Sequence, residues 1–337
     1  MLMPLLYPSL AIIIGFVVLV WGADKFVLGG AASARCFGVS PMIIGLTIIG
    51  FGTSAPEMLV SAVAALEGTP NLAIGNAIGS NITNIALVLG VAAMATPLMV
   101  KSQILKREYP IMFAVMLLAL LVMWDLKLNY VDGIILLVGL VFIMGWMVKV
   151  GLNENKLSNN QVNDSTEQDP LESEFESEIP NLKLSVALFW LIFGFVLLLA
   201  SSKVLVWGAV EVAQFFGVSE LVIGLTIVAL GTSLPELAAT VMSALKGEHD
   251  MAIGNIIGSN IFNLLAVIGI PALITPIVLE ENVLQRDFLS MIGISLVLFV
   301  LAYGFRGNGR INRVEGFLLF SLYIAYMGWI YISTTMG

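Results

Sequence analysis

The chain contains the same sequence twice. Residues 38–57, GVSPMIIGLTIIGFGTSAPE, match residues 217–236, GVSELVIGLTIVALGTSLPE, at 13 of 20 positions. Residues 73–84, AIGNAIGSNITN, match residues 252–263, AIGNIIGSNIFN, at 10 of 12. Both alignments have one offset, 179 residues, with no gap, and the same register pairs Thr96-Pro97 with Thr275-Pro276 and Arg107 with Arg286. A repeat of this length is a supersecondary unit, so the fold must build one architecture twice.

Composition says what that architecture is made of. Of 337 residues, 59% are hydrophobic and 11% charged, less than half the roughly 25% charged residues of a soluble domain. Apolar stretches of about 20 residues, enough to cross a bilayer, recur near 5–31, 38–67, 71–96, 104–123 and 128–150, and again near 182–211, 218–246, 250–276, 283–303 and 310–334. Met1–Tyr7 carries no positive n-region, so the first stretch reads as a span and not as a cleaved signal peptide. The expected fold is an all-α polytopic membrane protein of ten transmembrane helices. Residues 1–150 form the first repeat, 151–181 a linker and 182–337 the second repeat. Five is odd, so the second copy starts from the opposite side of the membrane. The repeats are then inverted about a pseudo-two-fold axis in the membrane plane.

The charges are unevenly placed. Residues 151–181 hold eight acids and one base, Lys156, which accounts for −7 of the net −8. Such a segment reads as a solvated linker, and it lacks the spacing of an EF-hand loop. With 15 Lys and Arg against 23 Asp and Glu and no basic block, nucleic-acid binding is excluded. The single cysteine, Cys36, excludes a disulfide framework, and the single histidine, His249, excludes a histidine-based metal site. Eleven Lys and Arg lie in alternate connections (Arg35, Lys101, Lys106, Arg107, Lys149, Lys156, Lys183, Lys246, Arg306, Arg310 and Arg313), against Lys127 and Arg286 on the opposite side. The positive-inside rule then puts both termini outside and the linker in the cytoplasm.

The repeated blocks carry the groups that a membrane interior tolerates least. Glu57 and Glu236 fall mid-span at equivalent positions, where a carboxylate costs several kcal/mol unless neutralised or solvated in a cavity. Gly52-Thr53-Ser54 precedes Pro56-Glu57, and Gly231-Thr232-Ser233 precedes Pro235-Glu236. Each proline lacks an N–H and clashes with the carbonyl four residues back, at Gly52 and Gly231. Broken helices at matching places in two halves point to a transporter's binding site. The following helix of each copy adds a stripe at i, i+4 and i+8: Asn76, Ser80 and Asn84, repeated as Asn255, Ser259 and Asn263. Gly75/Gly79 and Gly254/Gly258 are G-x-x-x-G pairs that admit a close neighbouring backbone. The pooled donors are hard oxygens, which suit a calcium ion taking 6–8 of them at about 2.3–2.6 Å. Two carboxylates neutralise one Ca²⁺ or two Na⁺, and that competition is a physical basis for exchange.

GTSAPE and GTSLPE, with GNAIGSNITN and GNIIGSNIFN, resemble the two alpha-repeats of the sodium/calcium exchanger family, within the cation/calcium exchanger superfamily. The resemblance covers essentially the whole chain. It implies that Glu57 and Glu236 bind Ca²⁺ directly, with the carbonyls of Thr53 and Thr232. It also implies Na⁺ sites from Ser54, Ser80, Ser233 and Ser259 with the carbonyls of Gly50 and Ala229, and a central site lined by Asn84 and Asn263. The first and sixth spans would slide to alternate access. Many members carry Asp where this chain has Asn263, which leaves two carboxylates in place of three.

The function expected is a secondary antiporter of the plasma membrane (the inner membrane in a bacterium) that exports Ca²⁺ on Na⁺ entry. Its partners are those two ions as substrates and the lipid bilayer. No cofactor and no obligate protein partner are expected. Proton-coupled or potassium-dependent calcium exchange is the alternative. An enzyme is not expected, because no activated nucleophile, catalytic His or Cys, or zinc-type ligand accompanies the glutamates. A channel fits poorly with an inverted repeat around a midplane site. Asp24 and Lys203 are register-equivalent but face opposite sides, so they are not expected to pair. Glu67, Lys246, Glu248, His249 and Asp250 read as solvated helix ends.

Overall fold

A computed structural model describes residues 3–100, 102–161, 182–216, 229–280, 282–303 and 309–335. Residues 162–181 of the acidic linker and 217–228 of the second repeated block lie outside the described residues. The chain is mostly helical: α1 (Met3–Phe37), α2 (Pro41–Thr53), α3 (Ala55–Leu66), α4 (Pro70–Ala95), α5 (Ser102–Lys106), α6 (Glu108–Val122), α7 (Tyr130–Gln161), α8 (Leu184–Phe215), α9 (Ala229–Thr232), α10 (Leu234–Leu245), α11 (His249–Ile274), α12 (Val283–Ala302) and α13 (Arg313–Thr335). Among the described residues, four short strands accompany them: β1 (Leu98–Val100), β2 (Lys127–Leu128), β3 (Ile277–Val278) and β4 (Gly309–Ile311).

The 179-residue offset recurs in the elements themselves. α3 and α10, and Leu89–Ala95 and Ile268–Ile274 at the ends of α4 and α11, have identical bounds once shifted. Among the described residues, seven helices are long and apolar enough to cross a membrane, or eight if the bent pair α2–α3 counts as one span. α6 has 15 residues, short of a full span, and of the stretch 218–246 only 229–245 is described. α7 runs on past residue 150 to Gln161, since no proline or glycine after Gly151 stops a helix already nucleated in the span.

The chain divides into two contact units, each drawing segments from both sequence copies. The first comprises 1–52 and 142–255. Its core is built on α1 and α8, with Leu19, Ala23, Phe26, Val27, Leu191 and Leu198 buried together. These two helices occupy equivalent positions in the copies and run antiparallel. A Cβ on Gly15 would meet Leu205, one on Gly22 would meet Leu198, and one on Gly29 would lie 2.2 Å from the Leu191 nitrogen. Gly194 returns the contact at 2.4 Å from the Phe26 nitrogen. Only glycine permits backbones this close. The same unit holds an unexpected ion pair: Lys246, at the end of α10, reaches Asp24 of α1 at 2.7 Å, while Lys25 holds the other oxygen at 2.9 Å. Lys246 is therefore not simply a solvated end.

The second unit comprises 53–141 and 256–337. Several of its contacts join one copy to the other. β1 pairs with β4 and β2 with β3, both antiparallel. Gly90 of α4 packs on the Gly316 carbonyl of α13, and its equivalent Gly269 of α11 packs against Gly133 of α7. The Asn81 amide donates to the Met291 sulfur and the Asn260 amide to the Met112 sulfur. Residues 81 and 260, like 112 and 291, are 179 apart. The contact that Asn81 makes from the first copy is thus returned by Asn260 from the second.

Candidate cation site

Local sequence leads to a cap that does not form. Ser54-Ala55-Pro56-Glu57 and Ser233-Leu234-Pro235-Glu236 are S-x-x-E patterns opening a helix, the sequence of a capping box. Both serines sit at the N-cap of the following helix, with nearly equal dihedrals (φ −80°, ψ −1° and φ −88°, ψ 4°). Neither hydroxyl caps its own helix. A serine cap is worth about 1 kcal/mol, so both copies give up a local stabilisation and keep a buried hydroxyl for another use. The break falls where the prolines require it. In the second copy Ser202 of α8 donates to the Gly231 carbonyl at 3.0 Å, a hydroxyl supplied to a carbonyl near the break. The first copy has Ala23 at that register.

In the second unit, Thr53, Ser54, Glu57, Ser80, Asn84, Ser259 and Asn263 are all buried, and Glu57 has no exposed surface. Ser54 Oγ lies 2.7 Å from Ser259 Oγ. Asn84 Nδ2 donates to Ser259 Oγ at 3.0 Å and to Asn260 Oδ1 at 3.2 Å. Residues from the broken helix of one copy and the stripe helices of both are thereby tied into one polar chain. Asn84 and Asn263 each lie in a π-turn, Thr83–Val88 and Asn263–Val267, a distortion that often marks functional positions. The Asn84 side-chain oxygen and both polar atoms of the Asn263 amide have no hydrogen-bond partner among the described residues. Buried acceptor oxygens are normally satisfied, and a dehydrated cation of the hard-oxygen class is a partner that fits them.

In the first unit, Glu236 is fully buried in the first turn of α10, Ser233 is buried, Thr232 is half-buried, and Gly50 is buried at the last turn of α2. Ala229 opens α9. The Ser233 hydroxyl has no hydrogen-bond partner among the described residues.

The stripe does not act as a single unit. Asn76 Nδ2 donates to Ser61 Oγ at 3.0 Å and to the Glu57 carbonyl at 3.3 Å. Asn255 Nδ2 donates to Thr240 Oγ1 at 2.8 Å. These two asparagines bridge to the preceding helix of their own copy. Asn81 and Asn260, one residue beyond Ser80 and Ser259, belong to the buried polar set although they lie off the stripe. The available signal was their identity in both copies. Of the G-x-x-x-G glycines, Gly254 makes the expected close approach, 2.7 Å from the Met42 carbonyl for an added Cβ, and Gly45 returns it at 2.6 Å from the Met251 carbonyl. The register equivalent of Met42, at 221, lies outside the described residues.

Residues 8–149 and 186–332 match the family model described as sodium/calcium exchanger protein. The chain is 44% identical to the "Putative antiporter CaxA" of Alkalimonas amylolytica over 98% of this chain and 100% of that one. It is 38% identical to the "Inner membrane protein YrbG" of Escherichia coli, over 97% of this chain and 98% of that one. Among solved structures, the sodium-calcium exchanger NCX_Mj soaked with zero Na⁺ and Ca²⁺ superposes with a TM-score of 0.80 at 32% identity, covering 97% of this chain and 99% of that one.

Proposed function

Because the chain belongs to the sodium/calcium exchanger family, we propose that this integral membrane protein is a secondary antiporter that exports Ca²⁺ on the inward movement of Na⁺. One observation carries the reading. In each copy a fully buried glutamate follows a helix break whose serine hydroxyl is withheld from capping. A membrane interior tolerates such groups where they are neutralised, paired or solvated in a cavity, and a bound cation is a partner of that kind.

Glu57 and Glu236 are the calcium carboxylates, helped by the carbonyls of Thr53 and Thr232. Ser54, Ser80, Ser233 and Ser259, with the carbonyls of Gly50 and Ala229, serve Na⁺. Asn84 and Asn263 line the central position. Two negative charges balance one Ca²⁺ or two Na⁺, so the ions displace one another, and access alternates between the two faces. The antiparallel run of α1 and α8 and the reciprocal contacts of Asn81 and Asn260 support ten crossings in two inverted repeats, 1–150 and 182–337. The arginine and lysine distribution supports outward termini and a cytoplasmic 151–181 linker.

The test is ⁴⁵Ca²⁺ uptake into proteoliposomes against Na⁺, K⁺ and H⁺ gradients in turn. Uptake driven by Na⁺ alone is expected. Uptake that needs K⁺, or that follows the pH gradient without Na⁺, overturns the counter-ion. Glu57→Gln and Glu236→Gln are each expected to abolish the flux, and wild-type flux in either refutes the site.

A further inference from the structure

We infer that Asn76 and Asn255 are positioning residues, each fixing the rotation and depth of the helix that presents its copy's carboxylate. The inference rests on the exchanger reading of Glu57 and Glu236.

The geometry is the same in both copies although the hydroxyl differs. Ser61 and Thr240 stand four residues after Glu57 and Glu236, on the same helix face one turn further on. Asn76 Nδ2 reaches Ser61 Oγ at 3.0 Å, and Asn255 Nδ2 reaches Thr240 Oγ1 at 2.8 Å. Residues 61 and 240, like 76 and 255, are separated by the repeat offset of 179. Ser61, Thr240 and Asn255 are buried with no exposed surface, where an amide-to-hydroxyl bond is strong and specific. In the first copy the same Asn76 amide also touches the Glu57 carbonyl at 3.3 Å. It therefore holds the backbone of the residue that carries the carboxylate, on the turn just after a break. A helix released by Ser54 and Pro56 from the segment before it has one fewer constraint on its rotation. The asparagine of the next helix supplies that constraint. Serine and threonine both serve because only the hydroxyl is used.

The experiment measures equilibrium ⁴⁵Ca²⁺ binding to purified protein, beside flux normalised to folded protein and thermal unfolding in detergent. Asn76→Ala, Asn255→Ala and Ser61→Ala are each expected to weaken Ca²⁺ binding and raise its KM about tenfold, with maximal flux per folded molecule nearly kept. Ser61→Thr and Thr240→Ser each install the hydroxyl found in the other copy and are expected to retain wild-type affinity. Where Asn76→Ala does not fold, the comparison of Ser61→Ala with Ser61→Thr decides. Lowered unfolding temperature with unchanged Ca²⁺ affinity makes these bonds mere packing and overturns the inference alone. Unsubstituted protein that binds no Ca²⁺ sinks the exchanger reading, and the inference with it.

Discussion

Ser54 and Ser259 share a hydrogen bond of 2.7 Å although they are 205 residues apart and belong to different copies of the repeat. Ser54 closes the break in one copy, and Ser259 lies on the stripe helix of the other. The Asn84 amide reaches the same Ser259 oxygen at 3.0 Å. One hydroxyl thus orders two groups of the candidate site.

Removing that hydroxyl leaves the Asn84 donor without its shorter bond and Ser54 without its partner across the copies. A buried polar group left unsatisfied costs about 1–3 kcal/mol. Ser259→Ala is expected to raise the half-saturating Na⁺ concentration about tenfold, with Glu57 and Glu236 intact. Na⁺-dependence of ⁴⁵Ca²⁺ flux checks this. An unchanged Na⁺ curve removes Ser259 from the Na⁺ set.

The seam between α1 and α8 makes a second expectation. A Cβ on Gly29 would stand 2.2 Å from the Leu191 nitrogen and 2.8 Å from the Ala187 carbonyl. Neither is a side chain that can swing away, so the helices must separate. Overpacking of this kind costs about 1–3 kcal/mol or more, and Gly29→Ala is expected to lower the unfolding temperature in detergent and to impair flux. Gly145→Ala, on α7 with no atom within 4 Å among the described residues, is the control and is expected to be neutral or slightly stabilising.

The Asp24–Lys246 pair shows what the linear sequence hides. The offset makes Asp24 equivalent to Lys203 and Lys246 equivalent to Glu67, and equivalence in the repeat does not bring two residues into contact. The contact depends on α1 packing beside α10, a relation between segments more than 200 residues apart. The repeat, the buried glutamates and the helix breaks were legible because each is a local pattern stated twice. The division of the stripe was not: periodicity puts Asn76, Ser80 and Asn84 on one face, but which neighbour each one meets is a tertiary fact. Asn81 and Asn260 were missed for the same reason, since their sulfur acceptors lie on helices of the opposite copy.

The ion pair is testable by a double-mutant cycle. Both side chains are partly shielded, 28% exposed for Asp24 and 30% for Lys246. Lys25 stays beside Asp24, with its ammonium 5.4 Å from the Trp190 ring centre. The coupling expected from Asp24→Asn and Lys246→Gln is therefore modest, about 1 kcal/mol in thermal unfolding. Additive effects of the two substitutions would show that the contact contributes nothing to stability.

The buried asparagines separate hydrogen bonding from packing. Asn260 accepts from Asn84 at 3.2 Å and donates to the Met112 sulfur at 3.8 Å, a weak acceptor. Met112→Leu keeps the volume and loses only the sulfur contact, so a cost below about 1.5 kcal/mol is expected. Asn260→Leu removes the acceptor of a fully buried amide and sets an apolar group beside Asn84. It is expected to destabilise by about 1–3 kcal/mol and to weaken Ca²⁺ and Na⁺ dependence together, because Asn84 loses one of its two anchors. Unfolding curves and ion titrations of the two variants side by side check this order. Equal effects would assign Asn260 to packing alone.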